Sequence, residues 1–144
     1  MLSEPPFSLF EQNPISLRHA IVEQDDQSCW AYLTKPDSLE PVSDCWLYNT
    51  VPAPPPSWVS DYEGGPPPAC EGVASSEALK PGVTKEHLRC VWNPDGSAVA
   101  LLLNNTPLGF LTASEPRGYS RYTLRTSPWG NHFDEQKYAD LFAG

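Results

Sequence analysis

His87-Leu88-Arg89-Cys90-Val91-Trp92-Asn93-Pro94-Asp95-Gly96-Ser97-Ala98-Val99-Ala100-Leu101-Leu102-Leu103-Asn104-Asn105-Thr106-Pro107-Leu108-Gly109-Phe110-Leu111 reads as strand, turn, strand, turn, strand. Pro94-Asp95-Gly96 suits a type I turn whose glycine takes the left-handed position. Asn104-Asn105 tolerates the positive φ angles of a two-residue hairpin. A last strand, Tyr119 to Leu124, follows Glu115-Pro116-Arg117-Gly118. Between His87 and Arg125 the chain thus predicts an antiparallel meander of three or four strands. Val99 to Leu103 is apolar at every position, the mark of a central strand covered on both faces. The best cover for its second face is a C-terminal helix. Asn131 or Asp134 would cap it, and Tyr138, Leu141 and Phe142 would lie on one side.

Upstream, residues 1–17, with Pro5, Pro6 and Pro14, read as an irregular lead-in that packs Phe7 and Phe10 onto the domain. Arg18 to Glu23 predicts a short strand, Gln24-Asp25-Asp26-Gln27 a polar turn, and Cys29 to Thr34 the return strand. Lys35 to Ser43 reads as a loop and Cys45 to Val51 as another strand. Residues 52–82 form a long Pro/Gly-rich loop, with Pro54-Pro55-Pro56 and Gly64-Gly65-Pro66-Pro67-Pro68 inside it. A loop of that length inside a compact domain is uncommon and is usually functional or disordered. Trp58, Val59 and Tyr62 are expected to fold part of it back, and Ser75 to Leu79 to make one helical turn.

The expected architecture is mainly β (β-rich α+β). A single twisted antiparallel sheet of six or seven strands, curled or split into two layers, carries the Pro-rich loop and a short C-terminal helix. The 144 residues make a single domain, 1–144, long enough to bury roughly 70% of the unfolded chain's surface. Seventeen prolines, more than twice the usual share of roughly 5%, argue against a mainly helical chain.

Charge is uneven. Residues 1–79 hold twelve acidic and two basic side chains, whereas residues 80–144 hold six and seven. With a net charge of −9 the chain lacks the basic footprint that nucleic-acid binding needs, so a nucleic-acid partner is not expected. An acidic half favours a cationic partner by steering, or simply keeps the protein soluble. Met1-Leu2-Ser3-Glu4-Pro5-Pro6 has neither a basic start nor an apolar run. The expectation is a cytoplasmic protein whose Cys29, Cys45, Cys70 and Cys90 stay reduced and pack as small hydrophobes. No stretch approaches the length of a membrane span, so no membrane partner is expected either.

Two strands share a phrase. Cys29-Trp30-Ala31-Tyr32-Leu33-Thr34 and Cys45-Trp46-Leu47-Tyr48-Asn49-Thr50 both spell Cys-Trp-x-Tyr-x-Thr, sixteen residues apart. Strand periodicity puts Trp and Tyr of each on one face, and antiparallel pairing with Tyr32 opposite Tyr48 would merge the two faces. An aromatic row of this kind is ordinarily core. The alternative is a partly open groove beside the Pro-rich loop, since Tyr and Trp combine an apolar body with a polar tip. Trp30, Tyr32, Trp46, Tyr48 and Trp58 are therefore the candidate binding residues, with Asp25, Asp26 and Asp61, and beside them Asp44 and Glu63, on an acidic rim.

Other constellations carry less chemistry. Trp92-Asn93-Pro94-Asp95-Gly96-Ser97-Ala98-Val99-Ala100 is similar to a propeller-blade hairpin, but one copy cannot build a propeller. His87, Cys90, Cys70 and Cys45 lack zinc-site spacing, and neither a metal nor a cofactor is expected. His132 near Asp134 is the one imidazole–carboxylate pair, with Asp134 already placed to cap the helix. No nucleophile elbow, phosphate-cradling loop or His-Glu-x-x-His motif is present, so no catalytic residue is named. Arg117, Arg121 and Arg125 recur every four residues, as a solvated face, as partners for the acidic half, or as a grip for an anion.

Val91-Trp92, Asp95-Gly96, Val99-Ala100-Leu101-Leu102-Leu103-Asn104 and Pro107, followed by Arg117-Gly118-Tyr119-Ser120-Arg121, resemble a small bacterial family of unknown function. Its members carry a Trp-x-x-Asp-Gly-x-x-Val-Ala-Leu-Leu hairpin and then Arg-Gly-Tyr. The resemblance spans about 35 of the 144 residues and implies a bacterial, cytosolic protein without carrying over an activity. The leading expectation is a non-catalytic protein-binding module, immunity-like or an adaptor, with a cationic partner protein. The alternatives are a small-molecule pocket, enzymatic or not, and a structural, self-associating protein.

Overall fold

A computed structural model of the chain describes residues 6–59 and 66–142, the side chains of Trp58 and Val59 excepted. Among these residues nine strands form two sheets that are not closed on each other. The first sheet runs β1 (Phe7–Gln12), β2 (His19–Gln24), β3 (Ser28–Thr34) and β4 (Pro41–Asn49), each antiparallel to the last. The second runs β5 (Leu88–Trp92), β6 (Ala98–Leu103), β7 (Thr106–Thr112), β8 (Tyr119–Ser120) and β9 (Asn131–His132). Only its last pair, β8 with β9, is parallel. A single helical turn, α1 (Pro56–Val59), a 3-10 turn at Lys85–His87 and the C-terminal helix α2 (Glu135–Phe142) complete the described elements.

The meander stands as its residues predict. Gly96 adopts φ +74°, and Asn104 and Asn105 adopt φ +47° and +73°. Val99 and Leu101 enter the main core, whereas Ala100 and Leu102 point to a second cluster with Phe110 and Phe133. Tyr138, Leu141 and Phe142 of α2 cover that cluster, so β6 is buried on both faces. Asp134 is the cap: its Oδ1 accepts the Lys137 N–H at 3.0 Å. Asn131 lies in β9 instead.

Four expectations need correction. Residues 7–12 of the lead-in are a strand, because Phe7 and Leu9 alternate inward while Ser8 and Phe10 face out. Phe10 is therefore 53% exposed rather than packed on the domain. The last meander strand shrinks from Tyr119–Leu124 to Tyr119–Ser120, where the chain turns away to bond Val73 through the Leu124 N–H. Ser75 to Leu79 is a tight turn closed by the Ala78 N–H on the Ser75 carbonyl, not a helical turn. The fourth is the register of β3 on β4. Trp30 faces Trp46 and Tyr32 faces Asp44, with a bulge next to Leu47 that shifts the pairing by one.

The long loop is mostly core-bound on its return half. Ala69, Cys70, Val73 and Ala78, with Val83 just after the loop, are all buried in the main cluster. It is held by the second edge of β4. The Asn49 N–H donates to Ala78 O at 2.8 Å and Asn49 O accepts the Lys80 N–H at 2.8 Å. Further along the same edge, the Asp44 N–H donates to Pro116 O, Gly118 donates to Asp44 O, and the Trp46 N–H donates to Trp129 O. β4 thus has β3 on one side and three separate segments on the other.

That closeness demands small residues. A Cβ on Gly118 would lie 2.6 Å from Phe110 O and 2.8 Å from Cys45 Cβ. Neither atom can swing aside, one being backbone and the other anchored in β4. Gly118→Ala is expected to lose roughly 1–3 kcal/mol of unfolding free energy, read as a lower denaturant midpoint at unchanged slope. A midpoint equal to the parent's would show that the β4–β8 contact has slack.

Candidate functional site

Register decides which aromatic side chains share a surface. Across the first sheet, Ser8, Glu23, Trp30 and Trp46 form one row of its outer face. Phe10, Ile21, Tyr32 and Asp44 form the next. Tyr48 does not belong to either. The bulge turns it to the inner face, where it pairs with Cys29 and its hydroxyl donates to Gln24 Oε1 at 2.5 Å. Burial pushes the Tyr48 phenol far up, and the Cys29 thiol up to about 12.

Trp46 faces outward yet is 0% exposed, because the Pro-rich segment lies on it. Asn49 anchors that lid. Its Oδ1 accepts the Trp46 Nε1–H and the Ala69 N–H, both at 2.9 Å, and its Nδ2 donates to Ala69 O. Two indoles finish the fastening: Trp30 Nε1 and Trp129 Nε1 both donate to Pro67 O, at 3.2 and 3.1 Å. Trp46 and Tyr48 are therefore core residues, with no surface left for a ligand. Of the four aromatic residues of the repeated phrase, only Trp30 (8% exposed) and the half-buried Tyr32 reach the surface.

They border a cleft of about 410 Å³, together with Ser8, Glu23, Asp25 and Pro66. Among the described residues no basic side chain lines it. Asp25 sits at the mouth by virtue of its hairpin: Oδ1 accepts the N–H groups of Gln27 and Ser28 at 2.8 and 2.9 Å. Its other oxygen, and both oxygens of Glu23, have no partner among the described residues. Burial first, and then the charges of Glu23, Asp44 and Asp25, push the Tyr32 phenol up to about 12. The cleft is a site of negative potential over an aromatic wall.

Asp26 is exposed in the Asp25–Gln27 connection and does not line the cleft. Asp61, Glu63 and the side chain of Trp58 lie outside the described residues. Glu23, Ser8 and Pro66 were not singled out from sequence. Glu23 was findable, since it follows Ile21 by two on a strand and so shares the outer face.

The remaining candidates have structural work. Arg117 approaches Asp44 at 4.0 Å and donates to Pro128 O. Arg121 pairs with Glu135 at 3.2 Å and lies over the Phe133 ring, while Arg125 donates to Gly72 O. They form no shared row. His132 Nδ1 bonds the Thr123 carbonyl at 2.9 Å rather than Asp134, which caps α2. Glu115 accepts from Tyr119 at 2.7 Å and Thr112 at 3.0 Å and pairs with Lys137. Burial opposes its ionisation, but those three partners outweigh it and hold Glu115 below the usual carboxylate range. That trio clasps α2 to the second sheet. All four cysteines are unpaired thiols, and among the described residues no cluster of His, Cys, Asp and Glu could hold a metal ion. No described helix is long and apolar enough to cross a membrane.

Comparison with protein-family models, curated proteins and solved structures finds no match to this chain. The cleft must be read from its own chemistry.

Its electrostatics are directly measurable. In the double variant Glu23→Gln/Asp25→Asn the Tyr32 hydroxyl is expected to titrate at lower pH than in the parent, because two negative charges that disfavour tyrosinate are gone. It should still titrate above an ordinary tyrosine, since burial, the larger cause, is untouched. Ultraviolet titration of tyrosinate, with Tyr32→Phe as the assignment control, checks both. An unmoved midpoint would mean that the carboxylates do not act on the aromatic wall.

Proposed function

We propose that the protein is a non-catalytic binding module that takes a cationic segment of a partner protein into the cleft on its first sheet. One observation carries this reading. Glu23 and Asp25 present carboxylate oxygens without described partners beside Tyr32 and Trp30, and among the described residues no basic side chain lines the cleft to neutralise them. A lysine or arginine head is the group that satisfies both walls, by charge on one side and by the ring quadrupole on the other. The reading places the protein in the cytoplasm, where its four free thiols stay reduced. It also fits the acidic excess of residues 1–79, which raises encounter rates with basic partners.

Magnitudes bound what the cleft does alone. An exposed ion pair contributes about 0.2–1 kcal/mol, and an exposed cation–π contact about 0.5–1 kcal/mol. Micromolar binding needs about 8 kcal/mol. The cleft therefore selects the charge, and other contacts supply most of the affinity.

Affinity capture from the native host tests this reading at about 50 mM and about 500 mM salt, a span over which exposed charge pairs are largely screened. The parent chain is expected to retain basic proteins at low salt and release them at high salt. The Glu23→Gln/Asp25→Asn variant is expected to lose the same proteins at both. If parent and variant retain an identical set at both salts, the cleft is not the binding site.

A further inference from the structure

We propose that the partner binds as an extended strand added to the free edge of β1, with basic and apolar side chains alternating along it. This rests on the cationic reading above and names the form in which the cation arrives.

The phase of hydrogen bonding shows which groups are free. The Asn13 N–H donates to Arg18 O at 2.8 Å, and Leu17, at φ +64°, donates to Asn13 O. That is a bulge at a hydrogen-bonded position of the β1–β2 ladder. Hydrogen-bonded and non-bonded positions alternate in an antiparallel pair, so Glu11, Leu9 and Phe7 bond β2. The opposite hairpin agrees: the Asp25 N–H donates to Ser28 O, which turns Glu23 and Ile21 toward β3 and leaves Gln24 and Val22 for β1. The main-chain groups of Ser8, Phe10 and Gln12 therefore point away from the sheet. None has a main-chain partner among the described residues, and all three residues are exposed. Unpaired backbone of this kind is a template for another strand. At the Glu11 end the Trp92 indole donates to the Glu11 carboxylate at 2.6 Å, so Ser8 and Phe10 carry the pairing.

Side-chain space flanks the same edge on both faces. Outside lies the acidic cleft. Inside, a second cleft of about 250 Å³ runs between Phe7 and Val83–Glu86. Phe7 borders both. Successive side chains of an added strand point to opposite faces, so one set enters each cleft. The outer set is basic. A guest residue beside Ser8 lies two strand spacings, roughly 10 Å, from Glu23, and the small Ser8 side chain lets a Lys or Arg stem lie across it. The inner set is apolar, against Phe7 and Val83. A second copy of this chain fits poorly: pairing two β1 edges would bring two acidic clefts together on chains that each carry −9.

The probe is the capped hexapeptide Val-Lys-Val-Lys-Val-Lys, titrated to about 1 mM into the isotope-labelled full chain and read by NMR. The expected result is movement of the Ser8 and Phe10 amides together with the Trp30 indole. Two peptides N-methylated at alternate residues separate main-chain pairing from charge. One is expected to lose affinity by about tenfold or more, and the other to stay within about twofold of the parent. Equal binding of both with unmoved β1 amides overturns strand addition. If that binding still weakens in Glu23→Gln/Asp25→Asn, the cationic reading survives alone. Phase-selective binding that ignores the double variant keeps the strand and removes the cationic reading. No shift at about 1 mM peptide overturns the proposal, as does protection of Ser8 and Phe10 that grows with protein concentration without peptide, which would indicate a second copy.

Discussion

β4 is bonded along both of its edges, and the remaining architecture depends on that. Its first edge carries β3 in an ordinary antiparallel ladder. Its second edge takes main-chain bonds from Pro116–Gly118, Trp129 and Ala78–Lys80, three stretches far apart in sequence. A strand so used cannot be an edge, and its main-chain groups are satisfied without a regular neighbour. The arrangement also joins the two sheets: the Cys45 side chain lies against Gly109, Gly118 and Gly130, where larger residues would hold the sheets apart. Burial and nearby Asp44 push the Cys45 thiol far up, leaving it an inert packing atom.

The same strand sorts the aromatic residues into core and surface. Without the bulge beside Leu47, Trp46 and Tyr48 would lie on one face. With it, Tyr48 seals the interior against Gln24 while Trp46 receives the Pro-rich segment as its cover. What remains on the outside is the part of the sheet nearest β1, where Trp30 and Tyr32 meet Glu23 and Asp25. The functional surface is thus a remainder, left where the fold's own needs for burial and bonding end.

Much of this was legible in the residues. Pro94-Asp95-Gly96 and Asn104-Asn105 announce their turns because few residues tolerate positive φ. The doubly apolar β6 demands two covers, and the i, i+3, i+4 pattern of Tyr138, Leu141 and Phe142 supplies one. β1 was hidden because its pattern of two inward residues is short and bracketed by prolines. The β3–β4 register was hidden for a different reason. A bulge is one extra residue, and a repeated phrase suggests in-step pairing that a single insertion overrides. Trp30, Tyr32 and Asp25 were visible as candidates, whereas Glu23 joined them only once the two faces of β2 were resolved. Asn49 gave no sign of its role, since a buried asparagine with five bonds looks in sequence like any polar residue of a strand.

The carbonyl of Pro67 accepts from two indoles far apart in sequence, Trp30 on β3 and Trp129 in the turn before β9. Indole emission follows the polarity and hydrogen bonding of its ring nitrogen. Lifting residues 66–70 would expose both rings to water in one motion, so the pair forms a built-in optical gauge of whether the segment is seated. Because Pro66 also walls the cleft, that gauge sits within one residue of the surface where a ligand would arrive.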